Sequence, residues 1–305
     1  MLSVDAFAVK RDYGLVPQQV APGTYVLLGF NEHFNFRNGG NIVNTGFIVT
    51  DAGVVVIDTG PSRLYGEQMR EAIAKVTDQP VVKVFNTHLH PDHFLGNQAF
   101  EDLPEAALAG TIEGIRQNGE MFNESLYRLC GPWEAGTRVV VPGLVVTPGV
   151  EEVGGHRLRL IGYDGHTDAD LAILDETTGV LFAGDLVFHG RAPTTPHADI
   201  GRWLASLDAL AGLSFSVLVP GHGAVSTNDD PIRQTRDYLV WLRDGLKRGA
   251  EQGSDMAELL SPREPPASIR RLAVFAAEYQ RSVAHLFPAF ERAAIERGRV
   301  VQELD

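Results

Sequence analysis

Runs of strand-forming residues alternate with helical stretches along the first part of the chain. Three runs rich in valine, isoleucine and threonine predict antiparallel strands, at residues 23–28, 42–50 and 54–58. The Asp51-Ala52-Gly53 sequence between the last two runs predicts a hairpin turn. Residues 62–76 carry apolar positions at near-helical spacing and predict a helix, and residues 81–85 predict a short buried strand. This order of elements predicts a strand–helix–strand unit.

The second part of the chain repeats the same order of elements. Further elements are predicted as strands at residues 144–147, 157–161, 169–174 and 180–183, a helix at 199–211 and a strand at 216–219. Two similar halves predict an α/β fold with two sheets packed face to face and helices on both outer sides, a four-layer αββα sandwich. Residues 1–229 would form this sandwich domain, and residues 230–305 a helical C-terminal extension packed on it.

An apolar stripe marks the helical extension. Its members recur at spacings of three and four residues, which places them on one side of a helix: Ile269, Leu272, Ala276, Tyr279, Val283, Leu286 and Phe290. Because proline cannot donate a helical hydrogen bond, Pro288 predicts a kink or a break that leaves residues 289–296 as a separate segment. The stripe must be buried, either by docking on the sandwich domain or in a homodimer contact.

Composition and charge narrow the class of protein. Of the 305 residues 44% are hydrophobic, which excludes a disordered or fibrous chain. No apolar run reaches the roughly 20 residues of a membrane helix, and residues 1–13 lack the apolar core of a secretory signal. We therefore expect no membrane partner. The compartment stays open: periplasmic if a signal peptide was removed, otherwise cytoplasmic. The net charge of −13 opposes binding of nucleic acid, so we expect a small-molecule substrate.

Histidines concentrate directly after the strand predicted at 81–85. His88, His90, Asp92 and His93 lie within six residues at the carboxyl end of that strand, where α/β folds commonly place their sites. Imidazole and carboxylate groups suit zinc, iron or manganese, and the alternate spacing of His88 and His90 aims both rings at one point. The pattern H-x-H-x-D-H therefore predicts metal binding rather than solvated loop histidines.

Three more side chains of the ligand type stand beside glycines after predicted strands. They are His166 in Gly165-His166-Thr167, Asp185 in Gly184-Asp185 and His222 in Gly221-His222-Gly223. Glycine permits the tight turns and close backbone approach through which several loops converge on one cleft. Taken singly, each residue is typical of a structural turn. Together with the first histidines, they indicate one shared site.

These motifs resemble the metallo-β-lactamase-fold hydrolase superfamily over about residues 23–230, and Ile57-Asp58-Thr59-Gly60 is similar to the aspartate-containing turn of that superfamily. The resemblance implies two metal sites joined by one bridge: the first on His88, His90 and His166, the second on Asp92, His93 and His222, with Asp185 as the bridge. Residues 39–49 and 87–100 look most like the quinoprotein relay system zinc metallohydrolases. The implied cofactor is two Zn²⁺, with iron or manganese as alternatives.

Two departures from related groups bear on the metal. Asp185 stands where one major group of zinc β-lactamases has a cysteine, and His90 stands where the di-iron relatives that reduce oxygen have a glutamate. Both departures favour a di-zinc hydrolase. In addition, Leu95 occupies a place that is often glycine in relatives that hydrolyse thioesters, which makes a thioester substrate less favoured.

The resemblance implies a dinuclear zinc hydrolase that attacks a small ester, lactone, thioester or amide with a metal-bound hydroxide. Bound zinc lowers the pKa of water towards neutrality and polarises the substrate carbonyl. Asp92 is the expected catalytic residue, because it would orient the hydroxide and pass a proton to the leaving group. One alternative is β-lactam hydrolysis. The other is a non-catalytic, metal-binding accessory protein linked to a quinoprotein dehydrogenase.

Five further residues are candidates for contacts around the metals. Asp58 ends a predicted strand and could accept the ring N–H of a ligand histidine, or it could cap a turn. His189 and Arg191 follow the Gly184-Asp185 motif and could bind an anionic substrate group, or make ordinary surface contacts. Phe34 and Phe36 lie between the first two strands and predict a substrate flap, with packing on the domain as the alternative.

Overall fold

The computed structural model describes residues 11–261 and 264–304. Within these residues, twelve strands form two sheets. The first sheet contains β1 (Gln18–Ala21), β2 (Thr24–Leu27), β3 (Thr45–Thr50), β4 (Gly53–Ile57), β5 (Val81–Phe85), β6 (Glu105–Ala107) and β7 (Leu144–Val145). The second contains β8 (Gly149–Val153), β9 (His156–Tyr163), β10 (Asp170–Asp175), β11 (Val180–Phe188) and β12 (Val217–His222).

The helices lie mostly between and after the strands of each half. They are α1 (Arg63–Ala74), α2 (Pro91–Phe94), α3 (Ala109–Cys130), α4 (Ile200–Ala211), α5 (Asp230–Glu251), α6 (Met256–Leu259), α7 (Ala267–Arg270) and α8 (Phe275–Leu304). Two 3₁₀ turns, Leu95–Phe100 and Gly131–Glu134, follow α2 and α3. None of the helices that the structure describes has the length and apolar character needed to cross a membrane.

The pairing of the strands brings the loops of both halves to one edge of the sandwich. In the first sheet, β1 to β4 run antiparallel in chain order and β4 to β7 pair in parallel. In the second sheet β11 and β12 are parallel and the other neighbours are antiparallel. Parallel strands end on the same side of a sheet, so the carboxyl ends of β4 and β5 lie together, as do those of β11 and β12.

The two sheets pack face to face. One buried cluster joins apolar side chains of both inner faces, among them Val26, Ile48, Val55, Phe85, Leu160, Ile173 and Phe182. Helix α1 covers the outer face of the first sheet, and α4, α5 and α8 cover the outer face of the second, with Trp203, Leu242 and Val283 in its core. The predicted four-layer αββα sandwich with a helical C-terminal region is therefore confirmed.

Local chemistry explains why the predicted elements form where they do. Ser62 caps α1 by accepting a hydrogen bond from the Tyr65 amide, and Asp199 caps α4 in the same way through the Arg202 amide. The predicted hairpin turn at residues 51–53 joins β3 to β4 in antiparallel register. The turn could be predicted from the sequence because it depends on neighbouring residues only.

Among the elements that differ from the sequence expectation, β11 and α3 contribute to the site. Strand β11 was predicted to end at residue 183, but it continues to Phe188, so Asp185 lies inside the strand rather than after it. Gly184 takes a φ of +52°, and the register with β12 shifts around it; this interrupts the strand without ending it. The 22-residue helix α3 was not predicted, because its three internal glycines and its many polar residues hide the apolar face that Ile115, Phe122 and Leu126 bury.

The C-terminal stripe docks on its own chain. Ile269, Leu272, Tyr279 and Val283 are buried in the same cluster as α4 and α5. The predicted break at Pro288 is wrong, because α8 runs through this proline, and packing of its neighbours on both sides outweighs the lost hydrogen bond. The break falls earlier, between α7 and α8, where a φ of +55° at Val274 turns the chain. Homodimer formation and a domain boundary at residue 229 stay predictions.

Candidate metal centre

The histidine-rich segment forms the loop between β5 and α2. His90 is the extended residue before α2, and Pro91 fills the first helical position, where its missing N–H costs nothing. Asp92 and His93 then lie in the single helical turn, and both are buried. The change from extended to helical backbone at His90 separates the directions of the side chains before and after it. His88 and His90 therefore belong to one candidate ligand group, and Asp92 and His93 belong to the other.

In the first group, three imidazole nitrogens converge. His90 Nδ1 lies 3.0 Å from His88 Nε2 and 2.9 Å from His166 Nε2. Thr87 Oγ1 accepts the Nδ1–H of His88, and His197 Nδ1 lies 2.8 Å from His90 Nε2. Burial lowers the pKa of His88, His90 and His166 well below the ordinary value, so the rings are neutral. Three lone pairs are thus directed at one point.

The second group consists of Asp92, His93 and His222. His93 Nδ1 donates to Asp58 Oδ2 at 2.7 Å, and His222 Nδ1 donates to the Ile42 carbonyl oxygen at 2.6 Å. These bonds fix both tautomers and leave each Nε2 free to act as a ligand. The distance from His222 Nε2 to Asp92 Oδ2 is 3.5 Å. Asp58 therefore orients a ligand ring from behind.

Asp185 lies between the two groups. Its Oδ1 is 3.2 Å from His93 Nε2, and its Oδ2 is 3.2 Å from His222 Nε2 and 3.4 Å from His166 Nε2. Burial raises the pKa of its carboxyl, but the neighbouring rings of His222 and His93 more than offset this and hold the pKa well below its usual range. Gly221 gives the carboxylate its room, because a Cβ there would lie 1.9 Å from Asp185 Oδ1.

The unsatisfied atoms of the site fit bound cations. His93 Nε2 and Asp185 Oδ1 are buried and have no hydrogen-bond partner. Although burial lowers the pKa of His93, the carboxylates of Asp185, Asp58 and Asp92 raise it well above the ordinary value. A field that favours a proton on this ring equally favours a metal ion in place of that proton. The donor set of imidazole and carboxylate falls into groups of four and three, with Asp185 in the first group and also 3.2 Å from His93 and His222 of the second, and this set suits two divalent transition metals.

A family model described as the metallo-beta-lactamase superfamily matches residues 38–222, which include all seven of these residues. The chain belongs to the metallo-β-lactamase superfamily. The sandwich fold and the resemblance drawn from the sequence are thereby confirmed at the level of the superfamily.

Relatives within the superfamily carry the names of diverse activities. The chain is 22% identical to a linear primary-alkylsulfatase of a Pseudomonas species over 76% of this chain and 52% of the relative, so it spans about half of that enzyme. It is 27% identical to the human acyl-coenzyme A thioesterase MBLAC2, over 61% of this chain and 75% of the relative. A metallo-β-lactamase structure from Pontibacter korlensis superposes with a TM-score of 0.61 at 21% identity, over 74% of this chain and 99% of that chain; this shows the fold alone.

In this superfamily member, a cavity of about 280 Å³ opens above the seven-residue cluster of His88, His90, Asp92, His93, His166, Asp185 and His222. Phe34 and Arg191 line the cavity, but two other predicted pocket residues do not. His189 Nδ1 donates to the Ala224 carbonyl oxygen at 2.7 Å, and the residue does not line the cavity. Phe36 is 60% exposed on the outer side of its loop, beside Gly131. The flap therefore presents one phenylalanine to the cavity and the other to solvent.

The surroundings of Arg191 differ from those expected of a group that is free to bind a substrate anion. Its side chain is buried, with Nη1 donating to the Glu32 carbonyl oxygen at 2.7 Å and Nη2 3.7 Å from Glu278 Oε1. Glu278, on α8, is fully buried. The Glu278 carboxylate and the Glu32 carbonyl oxygen thus already engage the Arg191 guanidinium.

Sequence reasoning missed several residues around the cavity. Arg281 and His285 come from α8, and Met121 and Leu129 come from α3. No local motif marks these positions. The one available signal was the i, i+4 spacing of Arg281 and His285 on a helix predicted to be amphipathic.

Proposed function

We propose that this chain is a dinuclear zinc hydrolase that cleaves a small carbonyl substrate: an ester, lactone, thioester or amide. The observation that carries the proposal is the convergence of seven buried ligand side chains in two groups at the base of an open cavity. The similarity to a sulfatase and a thioesterase supports hydrolysis as the reaction class. The closer relationship to quinoprotein relay system metallohydrolases stays a prediction.

The proposed holders of the two ions follow the two groups. His88, His90 and His166 would hold one ion, Asp92, His93 and His222 the other, and Asp185 faces both. Zinc in such a site lowers the pKa of water to about 7 and polarises a carbonyl oxygen. We propose zinc over iron or manganese because imidazole predominates in the first group, while carboxylate-rich sets suit manganese.

Asp92 is the proposed catalytic residue. Its carboxylate lines the cavity, and its Oδ2 faces His222 Nε2 at 3.5 Å and His93 Nε2 at 3.8 Å. In the proposal, Oδ1 orients the attacking water and then holds the proton that the leaving group takes up. Ile42 and Phe122, both buried at the cavity wall, limit the access of bulk water to these groups.

A substrate panel on zinc-reconstituted protein tests the proposal. It contains esters, thioesters, lactones, amides, an alkyl sulfate and nitrocefin, with Asp92→Asn as the inactive control and elemental analysis of both proteins. We expect about two zinc ions per chain and turnover of at least one carbonyl class, reduced more than about a hundredfold in Asp92→Asn. Two bound ions without any turnover would instead favour the accessory metal-binding alternative, and turnover of nitrocefin alone would favour β-lactam hydrolysis.

Nucleic acid serves as the negative arm of the same panel. The net charge of −13 repels a polyanion, and the expected partner is therefore a small molecule. RNA and DNA should not be cleaved by the wild type faster than by Asp92→Asn at low salt. Cleavage above that control would overturn the small-molecule proposal.

A further inference from the structure

The cavity above the cluster has two chemically different walls. One wall is formed by α3, and the other by α8 with Arg191. Helix α8 lies wholly outside residues 38–222, the region that the superfamily model matches. The base of the cavity therefore lies within the matched region, while Arg281 and His285 of the basic wall come from a helix outside it.

The α3 wall is apolar and open to solvent. Met121, Phe122, Leu126 and Leu129 line it, and Phe34 stands beside them in the same hydrophobic cluster as Phe122. Met121 and Leu129 are 54% and 51% exposed. They are eight residues apart on one face, so the stripe is about 12 Å long. Apolar side chains exposed at the mouth of a cavity are typical of a surface that an apolar part of a ligand covers.

The α8 wall carries a net positive charge. Arg191 and Arg281 both face Glu278 Oε1, at 3.7 and 3.9 Å. One carboxylate cannot balance two guanidinium groups, and the buried Arg191 is the nearer of the two. Arg281 is 48% exposed at the cavity wall, and it retains an uncompensated charge one turn before His285.

We infer that the substrate is an amphiphilic anion whose apolar acyl chain lies along α3, whose carbonyl lies over the cluster and whose carboxylate binds Arg281. The inference rests on the proposed hydrolysis and adds the class of substrate. A cavity of about 280 Å³ accepts a small ligand only, so a short chain and a single charged group are expected. Neutral esters lack the anchor at Arg281, and acetyl esters lack the apolar contact with α3.

Matched ester substrates separate the two walls. The hydrolysis of 4-(hexanoyloxy)benzoate adds water across the acyl C–O bond and releases hexanoate and 4-hydroxybenzoate. Its methyl benzoate counterpart removes the charge, and the corresponding acetyl esters shorten the chain. The non-cleavable ether 4-(hexyloxy)benzoate and its neutral counterpart hexyl phenyl ether report binding by calorimetry in the zinc-loaded protein without any turnover.

Two variants address the walls, and each has a control on the same helix. Arg281→Gln should weaken binding of the anionic ether, and raise KM for the anionic ester, about tenfold, with less than twofold change for the neutral forms. Leu129→Ser should raise KM about fivefold for the hexanoyl esters and leave the acetyl esters unchanged. Arg292→Gln and Tyr127→Ser change exposed residues outside the cavity and should change neither preference.

The outcomes separate this inference from the proposed function. Charge preference lost in Arg281→Gln and chain preference lost in Leu129→Ser support the inference. If the wild type hydrolyses the esters but Arg281→Gln keeps the full preference for the anion, the cluster alone selects charge; the inference is then wrong, while the hydrolase proposal stands. If the anionic ether binds through Arg281 but no ester is cleaved, the hydrolase proposal fails and the ligand class stands.

Discussion

The base of the cavity and its walls position side chains by different means. At the base, two rings are held by a second group behind them: Asp58 holds His93, and the Ile42 carbonyl holds His222. On the walls, Met121, Leu129 and Arg281 are about half exposed, and Arg281 lies 3.9 Å from the Glu278 carboxylate. Buried hydrogen-bonded groups are rigid, and partly exposed ones adapt to different ligands. Substitutions at the base should therefore have large effects, and substitutions on the walls graded ones.

The largest effect is expected at Asp185, which faces both ligand groups. Asp185→Asn keeps the shape but removes the negative charge that offsets the repulsion between two ions. We expect zinc content to fall from about two ions towards one and metal affinity to fall more than about a hundredfold, because even residues behind the ligands cost 10- to 100-fold. Elemental analysis after dialysis checks this expectation.

Asp208→Asn, an exposed change on α4, is the control and should retain both ions. If Asp185→Asn also retains two tightly bound ions, the two groups do not share this carboxylate. The expectation that substitutions at the base have larger effects than substitutions on the walls would then lose its main support.

The base was predictable because its chemistry is local in sequence or marked by glycine. His88, His90, Asp92 and His93 share one short segment, and the remaining ligands stand beside glycines that admit close approach, as Gly221 does for Asp185. Strand pairing then brings these segments together, and the αββα order of the elements was itself visible in the hydrophobic pattern.

The walls could not be predicted in this way. Helix α3 is rich in polar residues, so its cavity-facing stripe does not stand out in the sequence. The placement of Glu278 depends on α8 docking beside Arg191, a contact between positions 87 residues apart. Likewise, nothing in the sequence of the flap distinguishes Phe34 from Phe36. These features depend on tertiary packing, which local periodicity does not record.

A smaller effect is expected behind the base, at Asp58. Its backbone has a φ of +57°, which asparagine adopts readily, so Asp58→Asn keeps the loop while it removes the charge that makes His93 a strong ligand. We expect a 10- to 100-fold loss of metal affinity in a chelator competition. Asp51→Asn, in the exposed hairpin turn, is the matched control. Equal metal affinities of Asp58→Asn and Asp51→Asn would show that His93 does not need the Asp58 carboxylate to bind metal.

On the flap, the expected effect is smaller again. Phe34→Ser removes an apolar side chain from the cavity wall and should raise KM for an apolar substrate about fivefold without loss of zinc. Phe36→Ser changes a ring that points to solvent and should leave the kinetics unchanged. Equal effects of the two changes on KM would mean that both rings close over the substrate, as the sequence first suggested.

A substitution at Glu134, in the turn that follows α3, is expected to leave activity unchanged, which is the smallest effect of the series. Its carboxyl is buried without a hydrogen-bond partner, and burial raises its pKa from 4.5 to about 8. Below pH 4.5 the folded and unfolded chains both carry the proton. As the pH rises to about 8, the unfolded chain releases the proton while the folded chain keeps it, so stability falls across this window. Glu134→Gln cannot ionise. Between pH 5 and pH 8.5, the free energy of unfolding of the wild type should therefore fall by about 1–3 kcal/mol more than that of Glu134→Gln.

Urea unfolding of both proteins at the two pH values measures this difference, with the exposed Glu124→Gln on α3 as the control. Zinc content and turnover at any one pH should be equal in the wild type and Glu134→Gln, because Glu134 does not line the cavity. A pH-dependent gain in stability with unchanged turnover would show that the support of the α3 wall and the chemistry at the base are energetically separate. Parallel stability curves would mean that the Glu134 carboxyl ionises freely, and a loss of turnover would mean that the wall and the base are coupled.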